Sequence, residues 1–117
     1  MSNPIVKNRL EAFQKQAGRC YYCKSPIWLE DQQGFAIKHG LSTKAASRFQ
    51  CTAEHLVARC DGGNDSKKNI VAACRFCNQN RHFRKSPPNP DNYRKHVQER
   101  LNNGKWHPSS LQHLVSL

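Results

Sequence analysis

Two Cys-x-x-Cys pairs, Cys20-Tyr21-Tyr22-Cys23 and Cys74-Arg75-Phe76-Cys77, lie about fifty residues apart, and nothing else in the chain restricts its fold so tightly. One such pair alone is compatible with a redox site or with half of a metal site. Two of them can deliver four thiolates to a closed, tetrahedral zinc centre. A thioredoxin-like site is the rival reading, but no βαβ pattern surrounds either pair. A chain of 117 residues is expected to form one domain with a modest core, for which a structural metal is a common compensation. Because such an ion has no open position, it serves folding rather than chemistry. Cys20, Cys23, Cys74 and Cys77 are therefore read as structural zinc ligands. Cys51 and Cys60 do not have knuckle spacing and are read as packed thiols.

The chain is strongly basic, with Lys+Arg 19 against Asp+Glu 8 and a formal net charge of +11. A surface of this kind favours a polyanion, most often nucleic acid, and speeds encounter with it. The first ten residues hold no apolar stretch of signal-peptide length, and no run approaches a membrane span. The expected setting is a reducing, cytoplasmic compartment without membrane contact, where cysteines remain thiols or metal ligands.

Asn3-Pro4 is a helix start, and Val6, Leu10, Phe13 and Ala17 then recur at helical spacing up to Gly18. A helix over about 4–17 follows, with those residues as its apolar face. Residues 24–50 are ambiguous. Ile27-Trp28-Leu29 and Phe35-Ala36-Ile37 around Gly34 are compatible with a hairpin, and Ser42 can cap a short helix reaching Phe49. Lys38, Lys44 and Arg48 are either target contacts or a solvated basic face. Phe49 to Val57 has strand character and runs into the loop Gly62-Gly63-Asn64-Asp65, which lacks the ligand spacing of an EF-hand. Ile70 to Ala73 is a second strand, and a helix is expected from Arg75 to about Lys85. Phe76 and Phe83 would share one face of it, with Asn78, Arg81 and Lys85 opposite. Pro87-Pro88-Asn89-Pro90 ends this unit. A helix capped by Asp91 follows, with Tyr93, Val97 and Leu101 as its stripe and Gly104 as its stop. A last turn or two after Pro108 carries Leu111, Leu114 and Val115.

The chemistry-bearing residues fall in a particular order. Glu54 and His55 stand together at the end of the first strand, Asn69 opens the second, and Asn78 directly follows Cys77. Phosphodiester hydrolysis needs a base to deprotonate water and a cation to neutralise phosphate charge. Histidine suits the base near neutral pH, and Glu54 with the amide oxygen of Asn78 suits a hard divalent ion. Neighbours in a regular strand point to opposite faces. For Glu54 and His55 to share a site, the strand must end or bulge there. Arg75, Arg81 and Lys85 are read as phosphate contacts, against a solvated face.

The ordered set Glu54-His55, Gly62-Gly63, Asn69, Cys74-x-x-Cys77-Asn78, with the earlier Cys20-x-x-Cys23, resembles the HNH endonuclease family over roughly residues 20–81. The resemblance implies an α+β fold, a small ββα-metal core at about 20–85 with a four-cysteine zinc site. The N-terminal helix and a C-terminal helical extension at about 91–117 would flank it in a single domain. It also implies that His55 is the general base, that Glu54 and Asn78 hold a catalytic Mg²⁺ or Mn²⁺, and that Asn69 braces the loop that orients His55. The implied partner is DNA, with RNA also open, cut to leave a 5′-phosphate and a 3′-hydroxyl. Three positions depart from the usual pattern: Glu54 for aspartate, Asn78 for histidine and Ala58 for proline. The alternative is a zinc-dependent nucleic-acid-binding module without activity, which would need the basic face and the zinc but not Glu54, His55 and Asn78 together. His39, His82, His96, His107 and His113 have no partner at ligand spacing and receive no role.

Overall fold

A computed structural model describes residues 3–115; residues 116 and 117, at the end of the expected C-terminal extension, lie outside it. The elements run α1 (Pro4–Lys15), α2 (Gln32–His39), α3 (Thr43–Ala46), β1 (Cys51–His55), β2 (Ile70–Cys74), α4 (Arg75–His82) and α5 (Pro90–Asn102), with 3-10 turns at Ser47–Phe49, Arg59–Asp61 and Ser109–Leu114. This is a small α+β fold. Among the described residues its sheet is the antiparallel pair β1–β2, in unbroken register from Cys51 opposite Cys74 to His55 opposite Ile70. No helix of the described residues is long and apolar enough to cross a membrane.

The hairpin leads directly into α4, so the antiparallel pair and the helix after it form one continuous ββα unit. Cys74 makes the junction: its Sγ accepts from the Cys77 N–H as the N-cap of α4. The first knuckle is stitched to the same place, because Tyr21 N–H donates to Ala72 O at 2.9 Å. The core is built around this seam. Tyr22, Phe49, Ala72, Ala73, Val97 and the four knuckle cysteines are almost completely buried.

The side-chain caps of α1, α3 and α5 follow local sequence. Asn3 and Asn89 each precede a proline at the first helical turn, and Ser42 caps α3 through the Ala45 N–H. Asn89, rather than Asp91, therefore caps α5. Within 24–50 the second apolar run is helical and not part of a hairpin. Asp31 Oδ1 accepts from Gly34 N–H at 2.9 Å, and Gly40 ends α2 with a left-handed φ of +67°.

The inward face of α1 differs from the expected stripe. Val6 and Leu10 are exposed, while Ala12 is buried and Gln16 is half-buried against β2. The reason is Gln16: its Nε2 donates to Ala72 O at 2.8 Å and its Oε1 accepts from Ala72 N–H at 3.0 Å. A side-chain amide thus satisfies the Ala72 backbone groups on the edge of β2 that no third strand covers among the described residues, and it fixes the rotation of the helix. Helix α4 also stops earlier than expected, at His82. Phe83 lies beyond it at 90% exposure rather than on an apolar helix face.

Candidate active site

The four knuckle sulfurs converge. Cys20, Cys23, Cys74 and Cys77 are buried, and their Sγ atoms all lie within 4.8 Å of one another. Thiolates at about 2.3 Å from a tetrahedral zinc stand about 3.8 Å apart, and Cys23 Sγ to Cys74 Sγ measures 3.9 Å. Backbone N–H groups of Tyr22, Cys23 and Cys74 point at Cys20 Sγ, as expected around a thiolate that carries negative charge. Burial pushes the thiols of Cys74 and Cys77 well above their usual range. A divalent ion reverses that penalty by supplying the missing positive charge. The donor set, spacing and burial all fit a structural metal such as zinc.

Glu54 sits two residues from the start of the hairpin turn and is completely buried. A carboxylate in such a place must be paired. Its Oε2 accepts from the Tyr22 hydroxyl at 2.9 Å and from Arg81 Nη1 at 3.2 Å, and its Oε1 lies 2.7 Å from His82 Nε2. Tyr22 belongs to the first cysteine knuckle. Burial, and next the Glu54 charge, hold its phenol far above the ordinary range, so it remains a donor. The metal centre and the carboxylate are therefore one hydrogen bond apart through Tyr22.

Arg81 is a correction to the sequence reading. Its side chain is 4% exposed, and it faces no target. Besides Glu54, its guanidinium donates to His55 O at 2.9 Å, Leu56 O at 3.0 Å and Pro88 O at 3.0 Å. It clamps the end of β1 and the segment after α4 onto one carboxylate. The side chain is inward because α4 lies across β1, leaving carbonyls at the strand end that need donors. Arg48 is drawn in similarly, stacked 3.4 Å over the Phe76 ring and donating to His107 Nδ1 at 2.8 Å. Arg75 and Lys85 are exposed, with Lys85 beyond the end of α4.

Asn78 lies against β1, its Nδ2 donating to Thr52 Oγ1 at 3.0 Å and to Ala53 O at 3.3 Å. His82 follows one helical turn later on the same face of α4. Its contact with Glu54 makes it a site residue. The Asn78-to-His82 spacing of i to i+4 was the signal in the sequence.

His55 has different partners. β1 ends at His55 without a bulge, and the imidazole meets the loop that follows. Its Nε2 lies 2.8 Å from Asp65 Oδ1, and Arg59 Nη2 donates to both oxygens of the same carboxylate, at 2.8 and 2.9 Å. The hydrogen bond from His55 and then the Arg59 pair hold the Asp65 carboxyl below its ordinary range. Asn69 closes this loop: its Oδ1 accepts from Val57 N–H at 2.8 Å, and its Nδ2 donates to Val57 O and Asn64 O. Gly63 is required in the same loop, since a Cβ there would run into the Val57 carbonyl oxygen. The site thus has two groups, Glu54–Tyr22–Arg81–His82 beside Asn78, and His55–Asp65–Arg59 beside Asn69. Arg81, bonded to both the Glu54 carboxylate and the His55 carbonyl, joins them.

A four-cysteine metal centre pinning a ββα unit, with a buried glutamate and a strand-end histidine beside it, defines a small metal-centred ββα module. The model of the HNH endonuclease family matches residues 20–84, more than half of the chain. The chain belongs to the HNH endonuclease family. Neither the curated proteins nor the solved structures offer a match to it.

Proposed function

We propose that this chain is a metal-dependent endonuclease that hydrolyses phosphodiester bonds of DNA. The supporting observation is the asymmetric environment of Glu54. One carboxylate oxygen is anchored by Tyr22 and Arg81, and the other faces His82 beside Asn78. Tyr22 and Arg81 already anchor one oxygen inside the fold, whereas the His82 imidazole meets the other from the rim, at 30% exposure, where a cation can reach it.

The 2.7 Å between Glu54 Oε1 and His82 Nε2 is close to the ~3 Å separating adjacent ligands around a small octahedral cation. Glu54, His82 and the Asn78 amide oxygen are the residues that would hold a catalytic Mg²⁺ or Mn²⁺. Bound there, such an ion neutralises phosphate charge in the transition state. The imidazole among the donors shifts the preference from Mg²⁺ toward Mn²⁺. Zinc is the proposed ion at the four cysteines.

His55 is the proposed general base. Asp65 is held ionised and can only accept, so the His55 proton sits on Nε2 and Nδ1 carries the lone pair that takes a proton from water. Asp65 then stabilises the imidazolium that forms, while Asn69 positions the loop that carries it. Arg75 and Lys85, both exposed, are the proposed phosphate contacts near α4.

The test is nicking of supercoiled plasmid by zinc-loaded protein with Mg²⁺, Mn²⁺ or neither, beside Glu54→Gln and His82→Ala. Relaxed plasmid only with added divalent ion, and a loss of at least tenfold in both variants, is expected. Retarded plasmid that is never cut with any cation would instead favour the inactive DNA-binding module.

A further inference from the structure

A cleft of about 430 Å³ opens immediately beyond α4, between the segment after it and α5. Its walls include Asn80, Phe83, Arg84, Asn92, His96 and Trp106. The volume is in the range of small-ligand sites, and the catalytic assignment uses none of these side chains.

The wall chemistry is specific. Phe83 presents its ring at 90% exposure, although it follows His82, which touches the buried Glu54. The aromatic floor is rigid and tied to the metal centre. Trp106 Nε1 donates to Cys77 Sγ at 3.3 Å, and the Tyr93 hydroxyl donates to Cys77 O at 2.6 Å. The His96 ring stands edge-on to Trp106, with centroids 5.9 Å apart. The other wall is fixed to the candidate active site through Arg81, whose Nε holds Pro88 O while its Nη1 holds Glu54. Exposed Asn92 offers an amide edge, Asn80 offers its amide oxygen while its Nδ2 donates to Phe76 O, and exposed Arg84 offers a cation at the mouth. A cleft with aromatic walls, amide groups and a cation matches a nucleobase and its phosphate. The net charge of +11 brings such a polyanion to this surface.

We infer that this cleft receives one unpaired nucleobase of the DNA target, stacked on Phe83, with the adjoining phosphate on Arg84. The inference rests on the nuclease reading for its substrate and extends it: the preferred target carries an unstacked base next to the bond that is cut, as at a flap, a gap or a single-stranded junction. A regular duplex keeps its bases stacked and leaves the cleft empty.

The test uses the full zinc-loaded chain without added catalytic cation. The probes are two oligonucleotide duplexes with 2-aminopurine, one with the base unpaired in a flap and one with it paired. Expected are quenching of the unpaired probe only and binding of that duplex about tenfold tighter than the paired one. Phe83→Ala is expected to abolish the preference while leaving affinity for the paired duplex within about twofold. Phe83→Trp is expected to retain it. Equal binding of both duplexes by wild type, or a preference that survives Phe83→Ala, overturns the inference. Plasmid nicking, measured in parallel, separates the two readings. Cutting without discrimination sinks the cleft assignment alone. Quenching that depends on Phe83 in a chain that never cuts upholds the cleft and sinks the nuclease reading.

Discussion

Replacing Arg81 by methionine would remove the side chain that, among the described residues, ties β1, α4 and the segment after it to the buried carboxylate. Methionine retains the packing of the stem but donates nothing. Four acceptors lose a donor: Glu54 Oε2 and the carbonyls of His55, Leu56 and Pro88. Glu54 and Arg81 side chains are 1% and 4% exposed, so water does not simply replace the guanidinium. Breaking a buried pair by removing one partner costs about 3–5 kcal/mol, and each stranded carbonyl adds on the order of 1 kcal/mol before relaxation. Tyr22 and His82 still hold Glu54 and offset part of this. A net loss of about 4 kcal/mol is expected, against a total of about 5–15 kcal/mol for a domain. Urea unfolding at saturating zinc measures it as a fall in midpoint. Glu54→Gln/Arg81→Met is expected to recover at least ~1.5 kcal/mol relative to the sum of the single changes, because the stranded charge is gone. Additive single effects, or a loss below about 1 kcal/mol for Arg81→Met, would refute the account of Arg81 as the clamp.

Cys74→Ser, or removal of zinc by a strong chelator, is expected to collapse the fold, read as loss of near-ultraviolet circular dichroism, since the sulfurs close the seam among α4, β2 and the first knuckle. Tyr22→Phe deletes a donor to Glu54 and is expected to cost about 1.5 kcal/mol in urea unfolding and to raise the Mn²⁺ concentration needed for nicking. The His107 imidazole is pushed down to about 4 by burial and next by Arg48. Its folded value lies below its unfolded one, so its contribution is complete above pH ~6.5 and is lost as pH falls toward 4. Between pH 7.5 and 5.5 wild type is expected to lose ~1.4 kcal/mol that His107→Gln does not lose. Gly63→Ala is expected to reduce nicking while the zinc-dependent fold persists, because the clash falls in the loop that meets His55.

Much of this architecture was legible because short-range rules govern it. The knuckle spacing, the Asn3-Pro4 and Ser42 helix starts and the two strands all act over a few residues. Each appears at about its expected place, although the strand after Phe49 is shorter than its apolar run. The misreadings share another cause, tertiary contacts that override the local pattern. Gln16 turns α1 by bonding to β2, so Val6 and Leu10 face solvent instead of the core. The segment with Phe35 and Ile37 reads as apolar either way. What decides for helix is the pair of end signals, Asp31 and Gly40. Arg81 and Arg48 look like surface cations because charge alone does not reveal a neighbouring row of carbonyls or an aromatic face. No local pattern marks His82 as the partner of Glu54, which is 28 residues away. Tyr22 lies inside a motif whose spacing speaks only for its cysteines.

The central claim is that His55, held by Asp65, takes the proton from the attacking water. The most direct measurement is plasmid nicking by His55→Ala in Mn²⁺, with and without added imidazole. A fall of about 10²–10⁴-fold in rate is expected, partly restored by imidazole in proportion to its neutral form. Restoration would therefore grow with pH across the imidazole titration. Nicking by His55→Ala at the wild-type rate would contradict the claim.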